Sequence, residues 1–217
     1  MVDWTREELE EKLDSIESAV TIPVNLSING RQTILDLTEV ERVLRGARMI
    51  SIGECGCRER LHRCDAPLDT CFGLDKQAEE LVEKGLAKKA SLDEALDALK
   101  RSHEAGLVHV TYTFKGKEKP EVICSCCSCS CHSLSALVRF GVSGAVVSSK
   151  FIASTNLETC IDCGKCATRC QFKARRLENN RLIFDQNKCF GCGVCLSTCP
   201  TSSISLINRN DVGRQNG

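Results

Sequence analysis

Seventeen cysteines among 217 residues carry the chemistry of this chain. They fall into three groups, at 55–71, 124–131 and 160–199. The last reads Cys160-Ile-Asp-Cys163-Gly-Lys-Cys166-Ala-Thr-Arg-Cys170, then Cys189-Phe-Gly-Cys192-Gly-Val-Cys195-Leu-Ser-Thr-Cys199-Pro200. Each cysteine of the first run has a counterpart 29 residues later, an internal duplication of Cys-x2-Cys-x2-Cys-x3-Cys. Two-residue gaps let three thiolates of one tight loop meet three corners of a four-iron cube, while backbone N–H groups of the loop offset its negative charge. In a doubled motif of this kind the fourth cysteine, expected here to start a helix and point away, serves the other cluster. The spacing therefore assigns Cys160, Cys163, Cys166 and Cys199 to one [4Fe-4S] cluster and Cys189, Cys192, Cys195 and Cys170 to a second. Zinc sites favour separated Cys-x2-Cys pairs, commonly mixed with histidine. No histidine occurs beyond position 132. One departure stands out: Gln171 occupies a position where the first copy would often carry proline, as Pro200 does in the second.

Nine further cysteines lie upstream: Cys55, Cys57, Cys64 and Cys71 in one run, Cys124, Cys126, Cys127, Cys129 and Cys131 in the other. Buried free thiols can fill a core, but five in eight residues, interleaved with serine, make a poor core segment. An odd total leaves one thiol over in any complete disulfide framework, and a reducing compartment argues further against disulfides. Metal ligation is the remaining reading. Nine thiols suffice for two cubes with one spare, or for one larger cluster, so one or two further iron–sulfur centres, not necessarily cubane, are expected. Zinc–thiolate clusters are the alternative, disfavoured because electron-transfer clusters already lie in the same chain. His62 and His132 adjoin the thiols, and Glu54 and Arg58 flank the first run. The commoner role for each is an ordinary surface or hydrogen-bonding one.

Local signals indicate what positions these groups. Trp4-Thr5-x-x-Glu8-Leu9 is a capping box with a Trp4–Leu9 staple, leading into a helical stripe of Leu9, Leu13, Ile16 and Val20. Thr38-x-x-Glu41 and Ser91-x-x-Glu94 open two more helices. Strands are expected over 24–28, 48–52, 107–114, 121–124 and 145–149, with 115–118 turning the third into a hairpin. Each upstream thiol run begins as a strand ends, so the two loops can meet at one edge of a sheet. Further strands at 151–153 and 203–207 should pair, with 181–185 as the middle connection. The chain divides into a cysteine-rich mixed α/β front domain over 1–150 and a second unit over 151–217, α+β as a whole.

Residues 151–208 resemble the bacterial-type ferredoxin family with two [4Fe-4S] clusters, which implies a pseudo-twofold two-cluster fold. Upstream, Cys55-x-Cys57-Arg58, Cys64-Asp65-x-Pro67, Cys71 and the run from Ile123 to Cys131 are similar to those of a loosely defined group of anaerobic ferredoxin-like proteins. That resemblance implies iron–sulfur electron carriage in anaerobic metabolism, without a settled reaction.

Charge and motif content exclude several classes. Lys and Arg total 29, as do Asp and Glu, so net charge does not hold the chain on nucleic acid or anionic lipid. One Trp and one Tyr offer few stacking platforms for bases. The acidic, helix-like start and the lack of an apolar run of about 18 residues point to a cytoplasmic protein without a membrane span. Glycine-rich phosphate loops and a Gly-x-Ser-x-Gly nucleophile turn are absent. Residues 151–217 hold nine Lys and Arg against five Asp and Glu; the rest hold 20 against 24. The basic group Arg169, Lys173, Arg175, Arg176 and Arg181 either docks an acidic redox partner or, as favoured, balances cluster charge and bridges to the front domain. The expectation is an electron carrier between redox partner proteins. The alternative is a redox enzyme whose front-domain metal centre is the reaction site, fed by the C-terminal clusters.

Overall fold

The computed structural model describes residues 3–14, 16–22, 38–142 and 146–212. Helix α1 (Arg6–Asp14) precedes strand β1 (Ile16–Ile22); α2 (Thr38–Gly46), β2 (Ile50–Gly53), α3 (Gly56–Leu61), β3 (Cys71–Leu74), α4 (Asp75–Glu83) and β4 (Ala87–Ala90) follow. Then come α5 (Leu92–Glu104), β5 (Val108–Phe114), β6 (Val122–Cys126) and α6 (His132–Phe140). The C-terminal elements are β7 (Phe151–Thr155), α7 (Lys165–Arg169), β8 (Arg175–Glu178), β9 (Arg181–Phe184) and β10 (Ile204–Asn208). The chain is α+β.

Two capping boxes set helix starts. Thr5 N donates to Glu8 Oε2 at 2.9 Å while Glu8 N donates to Thr5 Oγ1 at 3.2 Å. Ser91 and Glu94 make the same reciprocal pair at α5. The stripe through Ile16 and Val20 does not stay helical: α1 stops at Asp14 and both residues join β1, which pairs antiparallel with β5. Pairing with a sheet outcompetes the weak helix preference of a segment rich in β-branched residues. The strand expected over 24–28 lies outside the described residues. Residues 146–149 form no strand beyond one bridge at Val147.

Six antiparallel strands form the front sheet in the order β1-β5-β6-β3-β2-β4. Period-two alternation divides it into two faces. Ile50, Ile52, Phe72, Leu74 and Ile123 pack with Val40, Leu44, Ala95, Ala98 and Leu99 of α2 and α5 on one side. On the other, Val108, Val110, Tyr112 and Cys126 pack with Leu9 of α1 and with Leu134 and Ala136 of α6. That second cluster also takes in Phe172 and Val194, so one apolar core runs past residue 150.

In the C-terminal part β7 pairs antiparallel with β10, as expected for end strands. Residues 181–184 are more than a connection. They form β9 and pair with β8 across Asn179 and Asn180, both at positive φ (48° and 59°), the backbone of a tight two-residue turn. Gly191, at φ +69°, lies so close to Phe151 that any β-carbon would strike its carbonyl oxygen. The second cysteine loop is thereby seated directly on β7.

Candidate metal centres

The eight C-terminal cysteines surround two separate cavities. One is lined by Cys170, Cys189, Cys192 and Cys195, the other by Cys160, Cys163, Cys166 and Cys199. In each case three thiols come from one loop and the fourth from the other copy of the motif. Helix α7 lies ahead of Cys170 and not behind it: Cys166 sits within the helix and Cys170 caps its C-terminal end. The reversal follows from Gly164 at φ +72°, which lets the chain enter a helical turn before the fourth cysteine. Burial, together with neighbours Cys195, Cys170 and Cys189, pushes the Cys192 thiol up. Burial likewise raises Cys195 to about 12, with Arg175 opposing. Such thiols are poor free anions and good ligands, since a bound metal deprotonates a coordinating thiol. Arg175, 2% exposed, lies against Cys166 of one quartet and Cys195 of the other. Its Nη1 donates to Thr155 Oγ1 at 2.9 Å and its Nη2 has no partner. A buried cation between two sets of four thiols, with one donor unspent, fits a pair of anionic clusters. Ser203 N–H also donates to Cys199 Sγ at 3.2 Å.

The front-domain thiols converge too, at one end of the central strands and not at an edge of the sheet. Cys55 follows β2, but the second run begins inside β6, where Cys71 of β3 stands opposite Cys124 in register. Alternation along β6 puts Cys124 and Cys126 on the face of Val110 and Tyr112 and sends Ser125 to the other. Thiol contacts run from Cys57 to Cys55, on to Cys71 and Cys124, then to Cys126 and Cys131. Cys64, Cys127 and Cys129 form a separate group whose sulfurs all lie within 4.8 Å of one another. All 17 cysteines are free thiols.

Arg58 stands between the two groups. It is 1% exposed, not the surface charge its place in a loop suggests, because α3 forms there and turns the side chain inward. Nη1 donates to the Ser125 carbonyl at 2.8 Å; Nη2 donates to the Pro67 carbonyl at 2.7 Å and to Thr70 Oγ1; Nε has no partner. Burial works against its charge, and thiolates at Cys55, Cys127 and Cys126 favour it. Hydrogen bonds from the Cys57 and Cys71 thiols hold Cys55 down to about 2. The Cys129 thiol does the same for Cys127, at about 5, against burial and aided by Ser130 N–H, Cys64 and Arg58. The lowered thiol of each group lies near Arg58. Glu54 is exposed.

Of the side chains around the larger group, His132 was marked in the sequence by its place beside the thiols, and Tyr112 carried no signature. Tyr112 Oη lies 3.7 Å from Cys126 Sγ and 3.8 Å from Cys131 Sγ and donates to Ser133 Oγ at 3.3 Å. His132 Nδ1 is 3.4 Å from Cys57 Sγ, and burial lowers this histidine to about 4. His62 caps α3 in the left-handed region. Trp4 Nε1 donates to the Ser130 carbonyl at 2.8 Å, fastening α1 over the second thiol run.

Residues 153–207 match the 4Fe-4S dicluster domain family. The C-terminal unit is a ferredoxin-like iron–sulfur domain. YccM of Escherichia coli (strain K12), named for electron transport, is 40% identical over 70 residues, 31% of this chain and 19% of that protein. One component of an ion-translocating oxidoreductase complex from Methanosarcina acetivorans is 40% identical over 47 residues, 22% of this chain and 18% of that component. An archaeal-type glutamate synthase [NADPH] from Dehalococcoides mccartyi is 31% identical over 70 residues, 31% of this chain and 14% of the enzyme. The matches span less than a fifth of each of these relatives.

Three residues, Gln171, Arg169 and Ser197, tie the ferredoxin-like domain to the front domain. Gln171 accepts from Ser128 N and Ser128 Oγ, both at 2.9 Å, and donates to the Gly106 carbonyl at 3.0 Å. It thereby joins Cys170 to the loop between Cys127 and Cys129, which accounts for glutamine where proline would be usual. Arg169 Nη1 donates to the Glu104 carbonyl at 2.7 Å and its Nη2 to the His103 carbonyl at 3.1 Å. His103 Nε2 meets Ser197 Oγ at 2.8 Å, and its ring stacks on His109, whose Nδ1 meets Ser125 Oγ at 2.8 Å. Of the basic group, Arg169 therefore bridges and Arg175 is buried between the thiol sets. Arg176 pairs with Glu178, and Lys173 and Arg181 are exposed. Among the described residues, no helix is long and apolar enough to cross a membrane.

Proposed function

We propose that this protein carries single electrons between redox partner proteins in the cytoplasm of an anaerobic metabolism, its two units at 1–150 and 151–217 working as one conductor. The observation that carries the reading is the pair of cavities, each bordered by four thiols drawn from both copies of the motif. A [4Fe-4S] cluster, when bound, supplies a one-electron couple. Cys160, Cys163, Cys166 and Cys199 would hold one, and Cys189, Cys192, Cys195 and Cys170 the other. Arg175 offsets their charge from the middle. The front thiols hold a further iron–sulfur centre, supported by the buried Arg58 charge, which has thiolates beside it and no carboxylate in contact among its described partners. Cys170 and Cys192 of the second quartet pack in the same cluster as Cys57, Cys124, Cys126 and Cys131, so electrons pass within the chain before leaving it. Paramagnetic resonance of anoxically purified Cys170→Ser checks the crossed assignment. The signal of the Cys189–Cys192–Cys195 cluster should change, and damage confined to the Cys160 cluster would refute it.

One observation favours the enzymatic alternative. An open groove is lined by Ile52, Glu54, Glu59, Asp69 and Lys88 together with Cys71 of the larger front thiol group, a place where a small molecule could approach that group. A front-centre signal that shifts with added small anionic ligands would move the assignment from carrier to redox enzyme.

A further inference from the structure

The nine front-domain thiols do not behave as one set. Cys64 Sγ and Cys127 Sγ are 3.8 Å apart, and with Cys129 Sγ they form, among the described residues, the one group of three metal-ligating side chains converging within 4.8 Å. With metal–sulfur bonds of about 2.3 Å, a tetrahedral ion holds its sulfurs about 3.8 Å apart. Thiolates on a four-iron cube each ride on a separate iron and stand farther apart. The same structure supplies the contrast: the two C-terminal quartets border cavities, and no three of their sulfurs draw together in this way. Spacing of this kind suits one ion, not a cube.

The group is also held apart from the other six thiols. Cys126 ends β6 facing Tyr112 and Cys131, whereas Cys127 follows the strand, lies against the Arg58 guanidinium and contacts Cys64 and Cys129. Its loop is fixed without metal. Cys131 N donates to the Cys127 carbonyl at 3.0 Å, Gln171 holds Ser128, and Trp4 holds the Ser130 carbonyl. Cys127 is buried while Cys64 and Cys129 are half-buried, so the site opens outward. No fourth histidine, cysteine or carboxylate joins the group among the described residues. The other polar groups against these sulfurs are Ser130 Oγ, 3.7 Å from Cys129 Sγ, the Ser130 N–H and Arg58 guanidinium at Cys127, and the Ala66 N–H at Cys64. Three thiolates around a divalent ion leave one net negative charge, which Arg58 matches.

We propose that Cys64, Cys127 and Cys129 bind a single thiophilic divalent ion, distinct from any iron–sulfur cluster, whose fourth position is left to an exchangeable ligand. Three protein ligands with an open position is the plan of reactive tetrahedral sites, whereas structural ones are closed by four. The assignment is independent of the electron-transfer reading and survives its failure.

Metal and acid-labile sulfide are measured on the anoxically purified full chain. Iron and sulfide balance in cubes, so the wild type should carry about one metal ion per chain in excess of its sulfide. Cys64→Ser and Cys129→Ser should each lose that excess and keep both iron and sulfide. Cobalt(II) exchanged into the cluster-loaded wild type makes the test independent of how the variants fold. It should give an intense tetrahedral cobalt–thiolate band that moves when imidazole or a small thiol is added. A wild type with no excess metal, variants that lose iron and sulfide together, or a cobalt spectrum without a tetrahedral band would overturn the assignment.

Discussion

At the scale of single residues, Arg58 organises the front domain. A guanidinium with 1% exposure must have its charge compensated, and the neighbours that favour it are the sulfurs of Cys55, Cys127 and Cys126. Arg58→Gln would leave those thiolates uncompensated and the Ser125 and Pro67 carbonyls short of a donor. The expected result is loss of front-domain metal, retention of the ferredoxin-like clusters, and a destabilisation of about 3–5 kcal/mol in anoxic denaturation. Arg58→Lys keeps the charge but not the planar fork, and should retain part of the metal. Full front-domain metal in Arg58→Gln would show that the guanidinium is structural only. Nothing in Glu54-Cys55-Gly-Cys57-Arg58 marks the arginine as buried, because its burial depends on α3, and α3 has no side-chain cap to announce it.

At the scale of elements, α5 and β5 meet through two histidines. Burial, reinforced by Arg169, lowers His103 to about 4; burial, reinforced by His103, lowers His109 to about 3. Unfolded histidine titrates near 6.5. Between that value and about 4 the unfolded chain binds more protons than the folded one, so stability is full above about 6.5 and falls as pH falls. Acidification from pH 7 to about 5.5 should cost about 1.2 kcal/mol per histidine. His132, lowered by burial as well, adds a third such loss, so in paired denaturation curves at those two pH values His109→Phe should show roughly two-thirds of the wild-type loss. An unchanged loss would mean that the His109 ring is not held neutral by its burial. These contacts were silent in the sequence. What was legible had local causes: the Thr5–Glu8 and Ser91–Glu94 boxes, the turn at Gly116, and the cysteine spacings. What was not legible needed partners far along the chain. Ile16 and Val20 keep a helical spacing yet become β1 because β5 is there to receive them. Cys71-Phe72-Gly73-Leu74 is too short to read as a strand until β2 and β6 flank it. The cysteine motif located the C-terminal thiols, and alternation within β6, not a loop, set the faces of Cys124 and Cys126.

At the scale of the whole molecule, the two units are not equally self-sufficient. The cluster formed by α2, α5, β2 and β3 is all front-domain aliphatic and aromatic packing. The opposite face of the sheet shares Phe172 and Val194 with the ferredoxin-like domain, and Phe172 stacks on Phe190 at 4.5 Å between ring centroids. The third cluster, around Phe151, Ala153, Leu196, Ile204 and Leu206, counts Cys166 and Cys195 among its buried members. That last core is small and built partly of ligands, so its order depends on metal that links loops with little apolar surface of their own. Removing metal from the full chain under anoxic conditions should therefore act in steps. Hydrogen exchange should lose protection first across β7, α7 and β10. Strands β5 and β6, which lose Phe172 and Val194 from one face, should follow in part. Strands β2 and β3 and helix α5, whose core needs no thiol, should stay protected. If β7 and β10 kept native protection without metal, the Phe151–Leu206 core would be sufficient alone, and the clusters would be guests of a folded domain and not its makers.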